Sequence, residues 1–202
     1  EMERMGCTLS RPTANTIRCQ GKLRPGDYSI DGCVSSQFVT GLLFALSLIG
    51  NESCLLVNGK IESKPYIEMT EEAMALFGAP QYHTPGYLAV EGDWSNGAFW
   101  LAANNLGSEL SISGLAQDSL QGDRAIVEIL QRLEAGKPAI SVADIPDLVP
   151  ILSVAAAGLH GATFINIRRL RLKESDRVAT VCEMLSQLGV TTKSTDNSLR
   201  VY

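Results

Sequence analysis

Residues 168–177 read RRLRLKESDR and hold five of the chain's 17 lysine and arginine side chains, although the whole chain carries net charge −5. Leu170 and Leu172 alternate with basic residues, which predicts a strand with one apolar and one basic face. On an acidic protein such a cluster indicates a site for a local anion. The alternative is a solvated basic face that pairs with neighbouring acidic side chains.

A helix is predicted directly after this stretch. Apolar residues recur at helical spacing over 178–188, and Gly189 follows as a C-terminal stop. Ser175 is the predicted N-cap. Lys173 and Arg177 would then lie beside the positive end of the helix dipole, where cations are disfavoured. The stretch therefore predicts a strand-to-helix corner that binds a small anion.

The composition excludes several classes of function. With 45% hydrophobic and 19% charged residues over 202 positions, the chain has the composition of a globular protein with a real core. A pI near 5.1 without a basic tail argues against nucleic-acid binding, and the longest apolar run, about residues 42–49, is too short to span a bilayer. Five scattered cysteines without metal-ligand spacing predict reduced thiols and no metal. The absence of Rossmann and P-loop motifs argues against nucleotide sites.

The chain repeats one pattern three times. A short polar turn enters a helix rich in small and apolar residues, a strand follows, and a second amphipathic helix then ends in glycine. The first helices of the three copies lie at 31–48, 91–106 and 146–159, and the closing glycines are Gly78, Gly136 and Gly189. A period this long indicates a repeated supersecondary unit. Helices alternate with short strands, so the predicted fold class is α/β. The predicted strands are 16–19, 53–57, 87–90, 109–113, 139–142, 163–167 and 199–202.

One helix in the middle of the chain has a clear apolar stripe at residues 126, 129, 130 and 133. Asp123 is its predicted N-cap and Gly136 its predicted end. The string Gln121-Gly122-Asp123 is therefore interpreted as a turn with a structural role.

Polar residues at the predicted helix starts are the candidates for binding. Ser35 and Ser36 lie where backbone N–H groups are unsatisfied, which suits a phosphate, although both could serve only as caps. Ser63 and Tyr66 flank another helix start, where an N-cap and a half-buried tyrosine are the alternative. Asp147 lies in the first turn of a helix, where it could simply face the dipole.

The strings at these positions resemble one family. Arg-Leu-Arg-Leu followed by Lys-Glu-Ser-Asp-Arg resembles the second signature of the 5-enolpyruvylshikimate-3-phosphate synthases, and Val34-Ser35-Ser36-Gln37 and Ser63-Lys64-Pro65-Tyr66 match further strings of that family. The resemblance implies repeated βαβαββ units, three in each of two domains, with the active site in the cleft between them. It covers this whole chain but about half of a family member, so the chain is expected to be a fragment. Residues 1–90 would be the last unit of the first, phosphate-binding domain. Residues 91–202 would be two units of the second.

The resemblance also implies a reaction: enolpyruvyl transfer from phosphoenolpyruvate to the 5-hydroxyl of shikimate 3-phosphate, with release of phosphate and without a cofactor. Asp147 would accept hydrogen bonds from the shikimate hydroxyls. Glu174 would exchange the methylene proton, and Lys173 would lie near the hydroxyl and the phosphate. Arg177 would hold the phosphoenolpyruvate anion. Arg169 stands where many relatives carry asparagine and is a further candidate for a substrate contact.

The same resemblance implies the residues that bind shikimate 3-phosphate. Ser35, Ser36 and Gln37 would hold its phosphate and approach phosphoenolpyruvate, while Ser63 and Tyr66 would contact its phosphate and ring. These residues precede the predicted domain boundary, and the catalytic candidates follow it, so the two groups are expected to face each other across one cleft.

Other expectations concern the isolated chain. Family segments with further active-site lysine, arginine and histidine residues have no match here, so the isolated chain is expected not to turn over. The alternatives are a non-catalytic module that binds phosphorylated metabolites, and a relative that acts on a UDP-sugar. The complete protein is expected to be a cytoplasmic monomer that binds shikimate 3-phosphate and phosphoenolpyruvate, and neither nucleic acid nor membrane.

Overall fold

The computed structural model describes residues 1–50, 53–173 and 175–202. They form two compact units, Glu1–Leu88 and Ala89–Tyr202. The elements of unit one are β1 Cys7–Thr13, β2 Thr16–Gly21, β3 Asp27–Asp31, α1 Ser36–Ile49, β4 Cys54–Asn58 and α2 Lys64–Leu76.

Unit one combines a hairpin with a parallel strand pair. Strands β1 and β2 are antiparallel, whereas β3 and β4 are parallel, with α1 as the crossover between them. A parallel pair requires such a crossover, because the chain must return from the end of the first strand to the end at which both strands begin. Tyr28 on β3 is buried with Met5 and with Leu46 of α1. The Tyr28 hydroxyl donates to the carbonyl of Arg24 at 2.8 Å, so its polar group is satisfied inside this small core.

Unit two contains one four-stranded sheet. Its elements are α3 Trp94–Asn105, α4 Ile126–Ala135, β5 Ala139–Ser141, α5 Val149–Gly158, β6 Ala162–Ile165, α6 Arg177–Gln187, β7 Thr192–Ser194 and β8 Ser198–Val201, with 3-10 turns at Gly122–Ala125, Pro146–Leu148 and Arg168–Leu172. The strand order is β5-β6-β8-β7, in which β5 and β6 are parallel and the other pairs antiparallel. From β5 to β8 the chain runs βαβαββ.

The core of unit two lies between this sheet and its helices. All four residues of the stripe predicted for α4 are buried, as the helical spacing indicates: Ile126, Ile129, Leu130 and Leu133. Helix α5 packs in the centre, with Leu152, Ala155 and Ala156 fully buried against Phe164 of β6. Small residues on α5 let neighbouring elements approach closely.

The two units share one arrangement. A parallel strand pair joined by a helix, and followed by a second helix, occurs as β3-α1-β4-α2 in unit one and as β5-α5-β6-α6 in unit two. The predicted α/β class and the pattern of the first and third predicted copies are thereby confirmed. In the middle copy, no strand lies among the described residues between α3 and α4, so that copy does not have the predicted pattern.

Two predicted strands are wrong. Residues 87–90 and 109–113 have no strand conformation, and Tyr87 and Val90 are almost fully exposed. A strand requires a partner for its ladder of hydrogen bonds. Within the described part of unit two, no strand pairs with either segment. A single backbone bond of 2.8 Å, from the Gly92 N–H to the Gly114 carbonyl, links the chain near their ends.

The basic stretch is also not a strand. Strand β6 ends at Ile165, because Asn166 has a left-handed φ of 65°. The chain then enters the 3-10 turn Arg168–Leu172, closed by a bond from the Leu170 N–H to the Ile167 carbonyl at 2.9 Å. Leu170 is 1% exposed whereas Leu172 is 83% exposed. One leucine therefore anchors the turn, and the two do not share an apolar face.

None of the helices in the described ranges is long and apolar enough to cross a membrane. The longest, α1, has 14 residues, whereas a span needs about 20.

Candidate active site

In unit one, two helices begin at the same end of the sheet, where the parallel strands β3 and β4 both have their carboxyl ends. The register pairs Asp31 with Asn58, so β3 and β4 end side by side. The loop after each strand leads into α1 and α2, and the Glu62 N–H of the second loop donates to the Gly32 carbonyl of the first at 3.4 Å. Two helix N-termini at one edge concentrate unsatisfied N–H groups, which is favourable for an anion.

The serines of the first loop have different environments. The Ser35 hydroxyl accepts from the Gln37 N–H at 3.2 Å, so Ser35 is the N-cap of α1. Ser36 is the first helical residue and is 6% exposed. Gln37 is exposed and lines an apolar cavity of about 540 Å³ together with Phe38 and Leu42. Capping is therefore established for Ser35, and phosphate binding by the three residues stays a prediction.

Ser63 and Tyr66 lie at the start of α2. Ser63 is 2% exposed, and its backbone is left-handed with φ 56°. The Tyr66 N–H donates to the Ser63 carbonyl at 3.2 Å, and the tyrosine side chain is half-buried. A non-glycine residue with this φ costs of order 1 kcal/mol or more, and such strain occurs often at ligand sites. The predicted N-cap role of Ser63 is wrong in one respect, since its side chain makes no capping hydrogen bond.

In unit two, the corresponding edge brings Asp147 and Arg177 together. The parallel strands β5 and β6 end at this edge, and the chain continues into the 3-10 turn Pro146–Leu148 and towards α6. Arg177 Nη1 donates to Asp147 Oδ1 and also to the Pro146 carbonyl at 3.2 Å. The Arg177 and Asp147 side chains are 23% and 36% exposed. Two residues predicted for the site thus form an ion pair that solvent can reach.

The N-cap of α6 is Asp176, not Ser175 as the sequence predicts. Asp176 Oδ1 accepts from the Ala179 N–H at 3.0 Å, and Arg171 Nη1 lies 3.1 Å from Asp176 Oδ2. The Ala179 hydrogen bond, with Arg171 nearby, lowers the pKa of the Asp176 carboxyl. An aspartate caps better than serine beside a cation, because it also carries the opposite charge.

This cap changes the argument for an anion site. The positive end of α6 already faces the Asp176 carboxylate, and Arg177 already faces Asp147. The position of the cations near the dipole therefore does not by itself require a bound anion. An anion that binds Arg177 must share the guanidinium with Asp147.

The remaining predicted residues lie around the same turn. Arg169, within the 3-10 turn, and Lys173, directly after it, are both half-buried. Glu174 lies outside the described residues. Substrate contacts by these three residues stay predictions.

Asp123 is a further acidic residue in unit two, and its predicted role as the N-cap of α4 is wrong. It lies within the 3-10 turn Gly122–Ala125, and Ala125 occupies the N-cap position. The side chain points inward and is 3% exposed. Ser95 Oγ donates to Asp123 Oδ2, while Oδ1 is buried without a hydrogen-bond partner among the described residues.

Burial raises the pKa of Asp123 to about 6, because the ionised carboxylate loses its hydration. The Asp147 and Asp93 carboxylates raise this pKa further, whereas the Ser95 hydrogen bond and the Arg177 guanidinium oppose the rise.

The substitution Asp123→Asn is expected to remove a pH dependence of stability. Folding raises the pKa of this carboxyl from 3.8 to about 6. Its protonated form therefore stabilises the fold fully at pH values below 3.8, and this stabilisation is lost as the pH rises through about 6. We expect the unfolding free energy of the wild type, relative to the variant, to fall by roughly 2–3 kcal/mol between pH 4 and pH 7.5. Urea denaturation across this range measures the difference.

The matched control is Asp93→Asn, which removes a nearby carboxylate from an exposed position and keeps a good N-cap on α3. Its stability should fall with pH as in the wild type but at slightly lower pH, because a carboxylate that raises the pKa of Asp123 has been removed. Equal pH dependence in the wild type and Asp123→Asn would show that Asp123 does not titrate in this range.

Comparison with known proteins relates this chain to one family. The profile of EPSP synthase (3-phosphoshikimate 1-carboxyvinyltransferase) matches residues 3–202. The 3-phosphoshikimate 1-carboxyvinyltransferase of Clostridium kluyveri is 37% identical over 92% of this chain and 51% of its own length. The corresponding protein of Clostridioides difficile is 36% identical over 89% of this chain and 48% of its own. The chain thus spans about half the length of the curated relatives it matches.

A solved structure shows the same fold. The EPSP synthase of Acinetobacter baumannii superposes with a TM-score of 0.66 over 98% of this chain and 54% of that chain, at 16% identity.

The relatives also differ within the matched region. The alignment with the Clostridium kluyveri protein runs over 217 positions, more than the 202 residues of this chain. That relative therefore has internal residues without a counterpart here. Even so, the profile match over nearly every residue and the identity above one third show that this chain belongs to the EPSP synthase family.

Proposed function

We propose that the complete protein transfers the enolpyruvyl group of phosphoenolpyruvate to the 5-hydroxyl of shikimate 3-phosphate and releases phosphate. The observation that carries the proposal is the contact between Asp147 and Arg177 in a chain of this family. The contact combines an acceptor for a substrate hydroxyl with a guanidinium donor for an anion. The domain assignment of residues 1–90 and 91–202 belongs to the same proposal.

In unit two, the chemistry divides among a few groups. Asp147 accepts hydrogen bonds from the shikimate hydroxyls, including the attacking 5-hydroxyl. That oxygen gives its proton to Asp147 and adds to C2 of phosphoenolpyruvate while Glu174 supplies a proton to C3. Glu174 then takes a proton back from C3 as the bond from C2 to the phosphate oxygen breaks, which restores the double bond and releases phosphate. Lys173 stabilises charge on the hydroxyl and the departing phosphate, and Arg177 holds the phosphoenolpyruvate anion with its planar donors. Arg169 is assigned a peripheral substrate contact.

In unit one, the two helix starts bind the 3-phosphate. Ser36 and Ser63 contribute hydroxyls at the edge where α1 and α2 begin, and backbone N–H groups there supplement them. Ser35 and Gln37 complete the first loop, and Tyr66 contacts the shikimate ring. Two helix N-termini favour a dianion over a neutral ligand.

The relatives' names contain 3-phosphoshikimate and carboxyvinyl transfer, which supports shikimate 3-phosphate as a partner. We propose phosphoenolpyruvate as the donor, and a monomeric, cytoplasmic protein that needs no cofactor. The alternatives are a non-catalytic module for phosphorylated metabolites and a UDP-sugar transferase. Calorimetry of the chain with shikimate 3-phosphate and with a UDP-sugar separates the substrates. Preference for the UDP-sugar would contradict the proposal.

Turnover requires a second experiment, because the chain spans about half of its relatives. In this experiment, a chimera joins the chain to those parts of the Clostridium kluyveri protein that the chain does not match. The release of phosphate by the chimera is then measured with phosphoenolpyruvate and shikimate 3-phosphate. Release supports the transferase. Binding of shikimate 3-phosphate without release would favour the non-catalytic module.

Single serine variants are expected to separate capping from binding. The substitution Ser35→Ala removes the N-cap of α1 and should cost about 1 kcal/mol of stability. The substitution Ser36→Ala leaves that cap in place but removes a hydroxyl for the phosphate. Its affinity for shikimate 3-phosphate should fall about tenfold, as for loss of one hydrogen bond to a charged group.

The control is Ser47→Ala, which lies on the same helix and bonds to the Phe44 carbonyl at 2.8 Å. Thermal unfolding and calorimetry are measured for all three variants. Unchanged affinity in Ser36→Ala would remove Ser36 from the phosphate site.

A further inference from the structure

One arginine of the basic stretch joins three parts of unit two. Arg171 Nη1 donates to Asp176 Oδ2 at 3.1 Å, and Arg171 Nη2 donates to the Thr195 carbonyl at 3.0 Å. The first acceptor is the N-cap of α6, the second lies between β7 and β8, and Arg171 itself lies in the 3-10 turn Arg168–Leu172. A planar guanidinium can hold two acceptors at once in a fixed geometry. Arg171 therefore links the 3-10 turn both to the start of α6 and to the hairpin β7–β8.

The contact between Arg171 and Asp176 spans residues 172–175, which include two catalytic candidates, Lys173 and Glu174. Lys173 lies outside the helices and strands, so no regular ladder of backbone hydrogen bonds fixes it. A short segment whose two ends are joined has fewer accessible conformations than a free one. The contact therefore restricts the conformations of Lys173.

The hairpin turn that accepts from Arg171 is fixed by its own hydrogen bonds. The Thr195 N–H donates to the Ser198 carbonyl at 2.8 Å, and the hydroxyl oxygens of these two residues lie 2.7 Å apart. The Asn166 N–H donates to the Asn197 carbonyl at 3.0 Å, just before the basic stretch begins. The hairpin turn thus contacts the chain on both sides of Arg169 and gives Arg171 a fixed point of attachment.

The contact acts locally more than on the whole fold. The Arg171 and Asp176 side chains are 31% and 39% exposed, and ion pairs this exposed contribute little to global stability. What the contact does determine is the path of the chain between the 3-10 turn and α6. Lys173 lies on that path and is half-buried.

We propose that Arg171 is a positioning residue for Lys173: it holds the ammonium group where charge develops in the reaction and does not touch the substrate itself. The inference rests on the proposed function, in which Lys173 stabilises charge on the hydroxyl and on the departing phosphate. Displacement of such a group by about 1 Å can cost on the order of 100-fold in rate. Arg177 keeps its own contact with Asp147, so loss of Arg171 should affect the reaction more than the binding of phosphoenolpyruvate.

The first test needs no substrate and is independent of the proposed function. A lysine-specific protease is added to the 202-residue chain, and mass spectrometry gives the rate of cleavage after Lys173. This rate increases with local opening of the segment. We expect Arg171→Ala to raise it about fivefold to tenfold, as for the loss of hydrogen bonds from a partly exposed charged group. Cleavage after Lys193, which pairs with Arg200 in the ladder of β7 and β8, should not change.

The variant Asp176→Asn keeps the proposal testable if Arg171→Ala fails to fold. Asparagine is as good an N-cap as aspartate, so the cap of α6 is retained while the charge that faces Arg171 is lost. Because Arg171 keeps its bond to the Thr195 carbonyl, cleavage after Lys173 should rise less, by about twofold to fivefold. If Arg171→Ala does not fold, an unchanged rate in Asp176→Asn overturns the proposal.

The matched control is Arg168→Ala, which removes the same charge from an exposed position of the same 3-10 turn. Its cleavage after Lys173 should match that of the wild type. An unchanged rate in Arg171→Ala overturns the proposal, and so does an equal rise after Lys173 and Lys193, which would show unfolding of unit two as a whole. A rise of the same size in Arg168→Ala also overturns it, because net charge would then explain the effect.

The second test measures turnover by the chimera with the Clostridium kluyveri protein. Phosphate release is followed with shikimate 3-phosphate at saturation, and kcat is expressed per binding site counted by calorimetry, so that unfolded protein does not contribute. For Arg171→Ala we expect kcat to fall about tenfold to 100-fold, with a KM for phosphoenolpyruvate within about twofold of the wild type. A role in stability alone would leave kcat per binding site unchanged.

An unchanged kcat in Arg171→Ala, or a loss that lies entirely in KM, overturns the proposal. If the chimera without substitutions releases no phosphate, the proposed function fails, and the cleavage rates of the 202-residue chain alone decide whether Arg171 fixes Lys173. The two failures are therefore distinguishable.

Discussion

Replacing Arg177 with alanine is expected to weaken phosphoenolpyruvate binding by about 2–4 kcal/mol, the range for truncation of one partner in a charge-assisted contact. The guanidinium is partly buried, and in the free protein it already pairs with Asp147. Its removal takes away the cation for the ligand and also removes the positive charge that faces the Asp147 carboxylate near the bound anion. Both effects act in the same direction. Calorimetry with shikimate 3-phosphate present at saturation measures the loss.

The control for this prediction is Arg171→Ala, which removes the same charge from the same basic stretch. Arg171 bonds to Asp176 and, at 3.0 Å, to the Thr195 carbonyl, and no substrate contact is assigned to it. The affinity of this variant for phosphoenolpyruvate should stay within about twofold of the wild type, because the Arg171 guanidinium pairs with Asp176 and is assigned no contact with the ligand. If both variants lose affinity equally, the basic stretch acts through its net charge, and Arg177 has no specific role.

Local periodicity predicted the helices better than the strands. The stripe of α4 is correct because four apolar residues at helical spacing define one buried face without help from other elements. The segments 87–90 and 109–113 have suitable composition for strands, but a strand depends on a distant partner, and none pairs with them in the described unit two. The relatives carry internal residues that this chain lacks. A sequence pattern for a strand contains no information about whether its partner is present.

The candidate site residues could be identified from sequence motifs, but the contacts between them could not be predicted from the sequence. Asp147 and Arg177 are 30 positions apart, and the parallel register of β5 and β6 brings them to one edge of the sheet. The sequence predicts a cap at Asp123, because aspartate before an apolar helix usually is one. The 3-10 turn Gly122–Ala125 instead directs the carboxylate inward, towards Ser95. The position of that side chain depends on one turn that the apolar pattern does not specify.

The basic stretch offers a direct test of this difference between pattern and structure. The substitution Leu170→Ala is expected to lower the unfolding free energy of the chain by about 2–5 kcal/mol, because it leaves a cavity in the core of unit two. The substitution Leu172→Ala removes the same atoms from a side chain that is 83% exposed. Its effect should stay within about 0.5 kcal/mol, the usual range for surface positions.

The pair of variants discriminates between two conformations of residues 168–172. In a strand, Leu170 and Leu172 would point to the same face, so their substitutions would have similar costs. In the 3-10 turn, only Leu170 reaches the core, and it holds in place the segment that carries Arg169 and leads to Lys173. Urea denaturation of both variants measures the two costs. Similar costs for the two substitutions would contradict the turn, and with it the position of the basic residues at the candidate site.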